Sequence, residues 1–423
     1  MIGFDEARRL ALAGAQPLPS ERVGLADCCG RVLGEDLHSP SDLPPFDNSA
    51  MDGFALPVGA EPMPIGCEFD IVASIAAGDD GSEARGACEI MTGAPMPPGL
   101  DAVLPVEQAR VLSCDGQGRP TRIALLSAVE PGAHVRRRGS DVSAGQPVLP
   151  AGTVLDASAR MLLAAMGVAE IGVRARLPAA LICTGAELVD DPAQALRPGQ
   201  IRNSNGPYLA QRLADIGAVL AHRETVADEA AAFLAALRRA QDAGARLVVS
   251  TGAVSMGRHD FVPEALRSIG AELVFHKIAM RPGKPLLHAR LPDGSAYFGL
   301  PGNPISGAVG LRFFIEPWLR ARQGRAPESS IRLPLAEPAR KKAGFTMLQK
   351  ARVFLDASGV ARVRLLQGQE SFRIQSLIAA NAWAVLPVAA EALPAGMSID
   401  VFGLEGEGIV LTADRPQGGT NAH

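Results

Sequence analysis

Lysine is scarce in this chain: five of the 41 basic residues are Lys (Lys277, Lys284, Lys341, Lys342 and Lys350), and the rest are arginine. The six cysteines (Cys28, Cys29, Cys67, Cys88, Cys114 and Cys183) form no C-x-x-C pair. Adjacent Cys28 and Cys29 are badly placed to bridge each other, so a disulfide framework or structural zinc site is not expected. The seven histidines show neither H-x-x-x-H nor H-E-x-x-H spacing, which argues against a His-built metal site. No apolar run reaches the ~20 residues that a membrane helix needs. The first residues are charged and carry no hydrophobic signal region. A cytoplasmic protein with no membrane partner is expected. A net charge of −4 disfavours a general nucleic-acid binder. There is no G-x-x-x-x-G-K-[ST] and no well-placed G-x-G-x-x-G, so a P-loop nucleotidase or ordinary dinucleotide binder is disfavoured.

What is present is a globular composition, 47% hydrophobic and 20% charged over 423 residues, enough for two to four domains. The periodicities predict a multidomain α/β plus β fold. Residues 1–45 with 141–177 read as an N-terminal helical and linker domain, starting with an amphipathic helix over 4–16. Residues 46–140 read as an inserted, mostly β domain with runs at Phe69–Ile75, Ala102–Val106 and Thr121–Leu126. Asp156 is placed to cap a helix that Gly167 ends. Residues 178–327 alternate strand and helix, predicting a three-layer α/β/α domain with a largely parallel sheet. Asp228 is placed to cap one of its helices. Residues 328–413 carry short strands, including 408–411, that suggest a β-barrel. Residues 414–423 read as a disordered tail.

Three groups of residues carry chemistry. Pro44–Ala55 packs Asp47, Asn48, Ser49 and Asp52 between stiff prolines and the permissive Gly53, which marks a shaped polar loop rather than a strand or helix. In the α/β domain, three strands run into glycine-bearing loops: Cys183–Leu188, Ser250–Gly257 and Gly299–Pro304. Parallel sheets place ligands beyond the carboxyl ends of their strands, and bare N–H groups at a helix start favour an anion. Acids decorate the same loops (Glu187, Asp228 and Asp260); each alone also reads as a helix cap or solvated loop charge. A basic cluster of Lys277, Arg281 and Lys284 stands on the proline-bounded turn Arg281-Pro282-Gly283-Lys284-Pro285. Compact ammonium groups suit point contacts to phosphate or oxyanion. Together these suit a metal-assisted phosphoryl or oxyanion reaction.

Pro45–Ala55, Met91–Pro95, Arg136–Asp141, Thr184–Leu188, Arg281–Pro285 and Gly299–Pro304 stand in the order and spacing of one family. The chain resembles the molybdopterin molybdenumtransferases (the MoeA family, also represented by the E domain of gephyrin) from its first helix to its C-terminal β domain. The resemblance implies insertion of molybdate into adenylylated molybdopterin, with Mg2+-dependent hydrolysis of the adenylate releasing AMP and molybdenum cofactor. It implies catalytic Asp52, Asp141, Glu187, Asp228 and Asp260, of which Glu187, Asp228 and Asp260 would hold magnesium. It implies substrate contacts from Thr92, Thr184, Gly252, Ser255, Lys277, Arg281, Lys284, Pro301, Gly302, Asn303 and Pro304. It also implies an elongated homodimer whose subunits share the cleft, with Asp52 and Asp141 acting across the interface. Transient contact with the adenylyltransferase and with molybdoenzyme chaperones follows the same logic. The chain departs from the family at Ala186 (commonly Asp), Thr251 (commonly Gly) and Arg281 (commonly Lys). Gln367–Phe372 also replaces a Gly-Ser-rich segment, which leaves the role of Ser371 open. The competing readings are a molybdopterin adenylyltransferase, which needs neither Asp52 nor Asp141, and a non-catalytic scaffold. Tungstate and molybdate are too alike for sequence to separate.

Overall fold

The computed structural model describes residues 1–80, 84–254, 261–406 and 408–413. It divides into two compact units, one from residues 1–21 with those after 173, the other from 22–173.

The first unit is built on six strands: β1 (Leu177–Thr184), β2 (Ala218–Val226), β3 (Leu247–Thr251), β4 (Glu272–His276), β5 (Leu287–Arg290) and β6 (Ala296–Leu300). They lie in the order β2-β1-β3-β6-β5-β4. The first four in that order are parallel, while β5 and β4 join as antiparallel neighbours. The antiparallel edge arises because β5 and β6 are joined by a tight turn at Pro292-Asp293-Gly294, too short for a crossover helix. The helices are α1 (Phe4–Leu12), α2 (Asn205–Asp215), α3 (Ala230–Asp242) and α4 (Val262–Ser268). A further helix, α5 (Pro304–Gly310), continues through a π-turn into α6 (Glu316–Arg322). Alternate strand residues point to opposite faces. Ala179, Leu181 and Cys183 pack with Phe4, Leu209 and Phe313, whereas Ala180 and Ile182 pack with Phe233, Leu237 and Leu266. Helix α1 therefore belongs to the α/β core, where Phe4 meets Phe313 and Phe314 edge-on at 6.0 and 5.7 Å. The expected Asp228 cap is not formed: α3 starts after Glu229, whose extended backbone makes it the N-cap, and no side chain caps the helix.

The same unit continues into β7 (Ile331–Pro334), β8 (Thr346–Leu355), β9 (Ala361–Leu365), β10 (Ala382–Leu386) and β11 (Ser398–Gly403). Strand order runs β9-β8-β10-β11-β7, and Leu335 bridges back to Val363 of β9. Phe313 receives Trp383 and Phe402 of this sheet at 6.3 and 5.5 Å. The strand expected over 408–411 does not form. Gly406 and Gly408 take positive φ (104° and 90°) and turn the chain, and pairing resumes at Thr412–Ala413 against β8.

In the second unit, Ala73–Ile75, Cys88–Ile90, Gly53–Leu56 and Ala102–Pro105 form a four-stranded sheet, and Glu68–Asp70, Pro120–Leu125 and Ala109–Cys114 a three-stranded one. Phe54, Leu104, Ile123 and Leu125 pack between them. Asp156 caps the helix Ala157–Ala165 by accepting from the Ala159 amide at 2.8 Å, and Gly167 ends it with φ 74°. The expected tail at 414–423 lies outside the described residues. Among the described residues no helix is long and apolar enough to cross a membrane.

Candidate functional site

The carboxyl ends of β1, β3 and β6 are in register, with Cys183 opposite Thr251 and Thr251 opposite Leu300. Their three glycine loops therefore start side by side. The Gly252 amide donates to Leu300 O (3.0 Å), and the Thr184 hydroxyl donates to Thr251 O (3.1 Å). Gly252 has φ 94°, and a Cβ there would stand 2.5 Å from Thr184 Oγ1 and 2.7 Å from Thr184 O, so no other residue fits this approach. Thr184 is buried and pins two loops together. Thr251, the departure from glycine, is a buried strand end that pairs on both sides, which any β-branched residue tolerates. Ala186 is exposed.

Pro301 is buried, while Gly302 and Asn303 are exposed at the start of α5. Asn303 is its N-cap residue but makes no side-chain capping bond. The Asn205 side-chain amide at the start of α2 holds Gly302 O at 2.6 Å. Sequence reasoning did not select Asn205; its position beside the first turn of a helix that reaches the same sheet end was the only available signal.

Glu187 follows β1 and Asp228 follows β2, so both acids lie at the same end of adjacent parallel strands, and both are exposed. The Glu187 carboxylate lies against Gly185, where a Cβ would come within 2.8 Å of its oxygen. Asp260 and Ser255 lie outside the described residues. Among the described residues no three His, Cys, Asp or Glu side chains converge as a metal cage. Two open carboxylates are still the hard-oxygen donor set suited to Mg2+, which usually takes one or two protein carboxylates plus substrate phosphates.

The basic turn is tightly built. The Ile278 amide donates to Lys284 O (2.9 Å) and the Lys277 amide to Leu286 O (3.1 Å), which brings the backbone at Lys277 and Lys284 together. Lys277 holds a positive φ of 70°, uncommon for a residue with a Cβ. Arg281 is exposed and stacks over Phe345 at 4.6 Å, a use that suits guanidinium better than ammonium. Lys284 is exposed. Arg281–Pro285 and Ser306 form one side of a cleft of about 390 Å³, and Met347–Gln349 with Gln369–Ser371 of the C-terminal sheet region form the other. The Ser371 carbonyl accepts from the Ile305 amide (3.0 Å) at the start of α5. Gln349 and Gln369 were missed by sequence reasoning; their strand and turn positions carry no motif.

The second unit holds the Asp52 loop. Asp52 Oδ1 accepts from both the Thr92 amide (2.6 Å) and the Thr92 hydroxyl (2.8 Å), which hold its carboxyl below the usual carboxylate range. Asp47 accepts from the Arg138 amide and Arg137 Nη1, both at 2.7 Å, with the same effect. The Ala144 amide and Arg138 guanidinium do likewise for Asp42. Ser49 donates to Met51 O, and the Gly93 amide donates to Ser49 O (2.8 Å). Val135–Arg136 pairs with Asn48–Ser49, so three of the quoted motifs meet in one place. Asp141 is exposed, and its amide donates to Leu43 O at 2.9 Å. A Cβ on Gly53 would fall 1.9 Å from Leu104 O.

A β-rich unit with a pinned polar loop, and an α/β unit with glycine loops and a basic cleft, make a multidomain protein suited to an anionic ligand. Residues 2–167 match the MoeA N-terminal region (domain I and II), 180–321 a probable molybdopterin binding domain, and 332–404 the MoeA C-terminal region (domain IV). The chain is 38% identical over 414 residues to a molybdopterin molybdenumtransferase of Synechococcus elongatus, covering 96% of this chain and 100% of that one. It is 30% identical to the Staphylococcus aureus molybdopterin molybdenumtransferase, covering 95% of each. A solved molybdopterin biosynthesis MoeA protein from Pyrococcus horikoshii superposes with TM-score 0.78 at 25% identity, over 96% of this chain and 100% of that one. The chain belongs to the molybdopterin molybdenumtransferase (MoeA) family.

Proposed function

We propose that the chain is a molybdenumtransferase of molybdenum cofactor biosynthesis, inserting molybdate into adenylylated molybdopterin and hydrolysing the adenylate to release AMP. The observation that carries this reading is the cleft in which Arg281 and Lys284 face Gln349, Gln369 and Ser371. Point charges and the Gln349 amide around about 390 Å³ suit a small tetrahedral oxyanion and a phosphate together. Lys277, Arg281 and Lys284 bind oxyanion and phosphate oxygens. The Thr184, Gly252 and Pro301–Pro304 loops let backbone approach the pterin–phosphate moiety, with Ser255 and Thr92 as further contacts. Lys284 stabilises charge developing on the phosphoryl oxygens as the bond to AMP breaks. Glu187 and Asp228, at the carboxyl end of adjacent parallel strands, would hold Mg2+, and we assign Asp260 to the same ion. When bound, that ion polarises a phosphoryl oxygen and neutralises charge on the leaving group.

Asp52 and Asp141 act on the same substrate from the partner copy of a homodimer; Asp52, kept ionised by Thr92, acts there as a proton acceptor. We read the first unit as a three-layer α/β/α domain over 178–327 and a β-barrel over 328–413, a reading that the Leu335–Val363 bridge supports. Within the second unit we read residues 22–45 with 141–173, and 46–140, as two domains, helix α1 being part of the α/β core. The protein works in the cytoplasm, with transient contact to the adenylyltransferase that supplies its substrate and to chaperones that receive its product. The test supplies purified protein with adenylylated molybdopterin, Mg2+ and molybdate. AMP and cofactor should form together and stop on chelation, and ligand binding without AMP release would sink the reading.

A further inference from the structure

Lys350 is fully buried, in the middle of β8 and opposite Trp383 of β10. An ammonium group out of water is costly unless hydrogen bonds compensate it. Here Nζ donates to two carbonyls, Gly368 O at 2.7 Å and Arg373 O at 3.1 Å. The Ser376 hydroxyl, with one proton to give, lies within reach of the same two carbonyls at 2.7 and 3.1 Å. Gln369 closes the loop on the Lys350 backbone: its Nε2 donates to Lys350 O and Leu366 O, both at 2.8 Å, and its Oε1 accepts from the Lys350 amide at 3.0 Å.

The carbonyls that Lys350 holds bracket Gln369, Glu370 and Ser371, the residues that line the far wall of the oxyanion cleft. Ser371 in turn accepts from the Ile305 amide, next to the Gly299–Pro304 loop. One buried cation thus fixes the wall and ties it to the glycine loop. We propose that Lys350 is a positioning residue for the cleft: it sets loop 367–373 from behind, with Gln369 as its partner, and touches no substrate. This rests on the cleft being the substrate site, as proposed above.

Charge-assisted bonds to carbonyls are about twice as strong as neutral ones, so a lysine gives a stiffer wall than any neutral donor of its length. Methionine of similar length keeps the volume and deletes the donors.

The test compares the full-length chain with Lys350→Met and Gln369→Leu by amide hydrogen exchange, then by steady-state AMP release. Exchange at Ile305 and through 367–373 should accelerate about tenfold or more in both variants, the weight of about one buried hydrogen bond, while β10 and β11 stay protected. KM for adenylylated molybdopterin should rise by about tenfold or more, with a smaller change in kcat. Unchanged exchange at Ile305, or faster exchange with an unchanged KM, overturns the assignment. Loss of protection across β8, β10 and β11 together also overturns it, because Lys350 would then serve the fold alone. An unmodified chain that releases no AMP sinks the proposed function, while the exchange arm still decides whether Lys350 sets the loop.

Discussion

The two polar regions of this protein are built in opposite ways. In the second unit, the carboxylates of Asp42, Asp47 and Asp52 each accept an amide hydrogen bond plus one from an arginine or a hydroxyl. In the first unit, Glu187, Asp228, Arg281 and Lys284 stand exposed around loops whose backbone, not whose charges, is pinned. Charges used to hold a shape are committed before any ligand arrives. Charges left open on a rigid frame cost little to keep and can be spent on a bound oxyanion.

The largest effect that can break this contrast is steric. Gly53→Ala puts a Cβ against the Leu104 carbonyl and should destabilise the second unit by about 3 kcal/mol or more, read by denaturant unfolding. A neutral result would mean the Asp52 loop is not rigid.

The units should also part company with pH. His288 is buried in β5, and desolvation pushes its pKa down to about 4 against 6.5 when unfolded, even though its Nδ1 lies 3.0 Å from Tyr297 O. The unfolded chain then binds more protons between those values. The first unit's stability is full above pH 6.5 and falls by about 3 kcal/mol as pH drops to 4. His288→Gln should flatten that slope. The second unit's depressed carboxylates hold their contribution through that window and lose it only as pH falls below the ordinary carboxylate range. Equal slopes in segment-resolved exchange would erase the distinction.

Lys284→Ala should leave unfolding unchanged yet cut AMP release about a hundredfold. A variant that unfolds early would place Lys284 among the committed charges. The smallest effect sharpens the clasp itself: Thr92→Val removes one of two bonds to Asp52 Oδ1, so the Asp52 pKa, followed by carboxyl NMR, should rise part of the way to normal.

Much of this was legible from sequence because it is local. The Asp156 cap, the Gly167 stop and the glycine-ended strands each depend on a few adjacent residues. Other features depend on distant partners. Helix α1 reads as an amphipathic helix, but nothing local says that its face meets Phe313 and Phe314. Strand β2 is an edge strand carrying His222, Arg223 and Glu224, so its pattern lacks the apolar run of a central strand. The tie between Asp52 and Thr92 spans 40 residues, and that between Lys350 and Gly368 spans 18. The motifs pointed to these polar residues, while their division into committed and open charges needed the hydrogen bonds.

The central claim is that the open charges around Arg281–Pro285 and Gln369–Ser371 receive the oxyanion. Anomalous diffraction from crystals soaked in tungstate or molybdate tests it directly. The account predicts a heavy-atom peak in that cleft within hydrogen-bonding reach of Lys284, lost in Lys284→Ala. A peak that persists in that variant, or that lies only against the Asp47 and Asp52 loop, would contradict it.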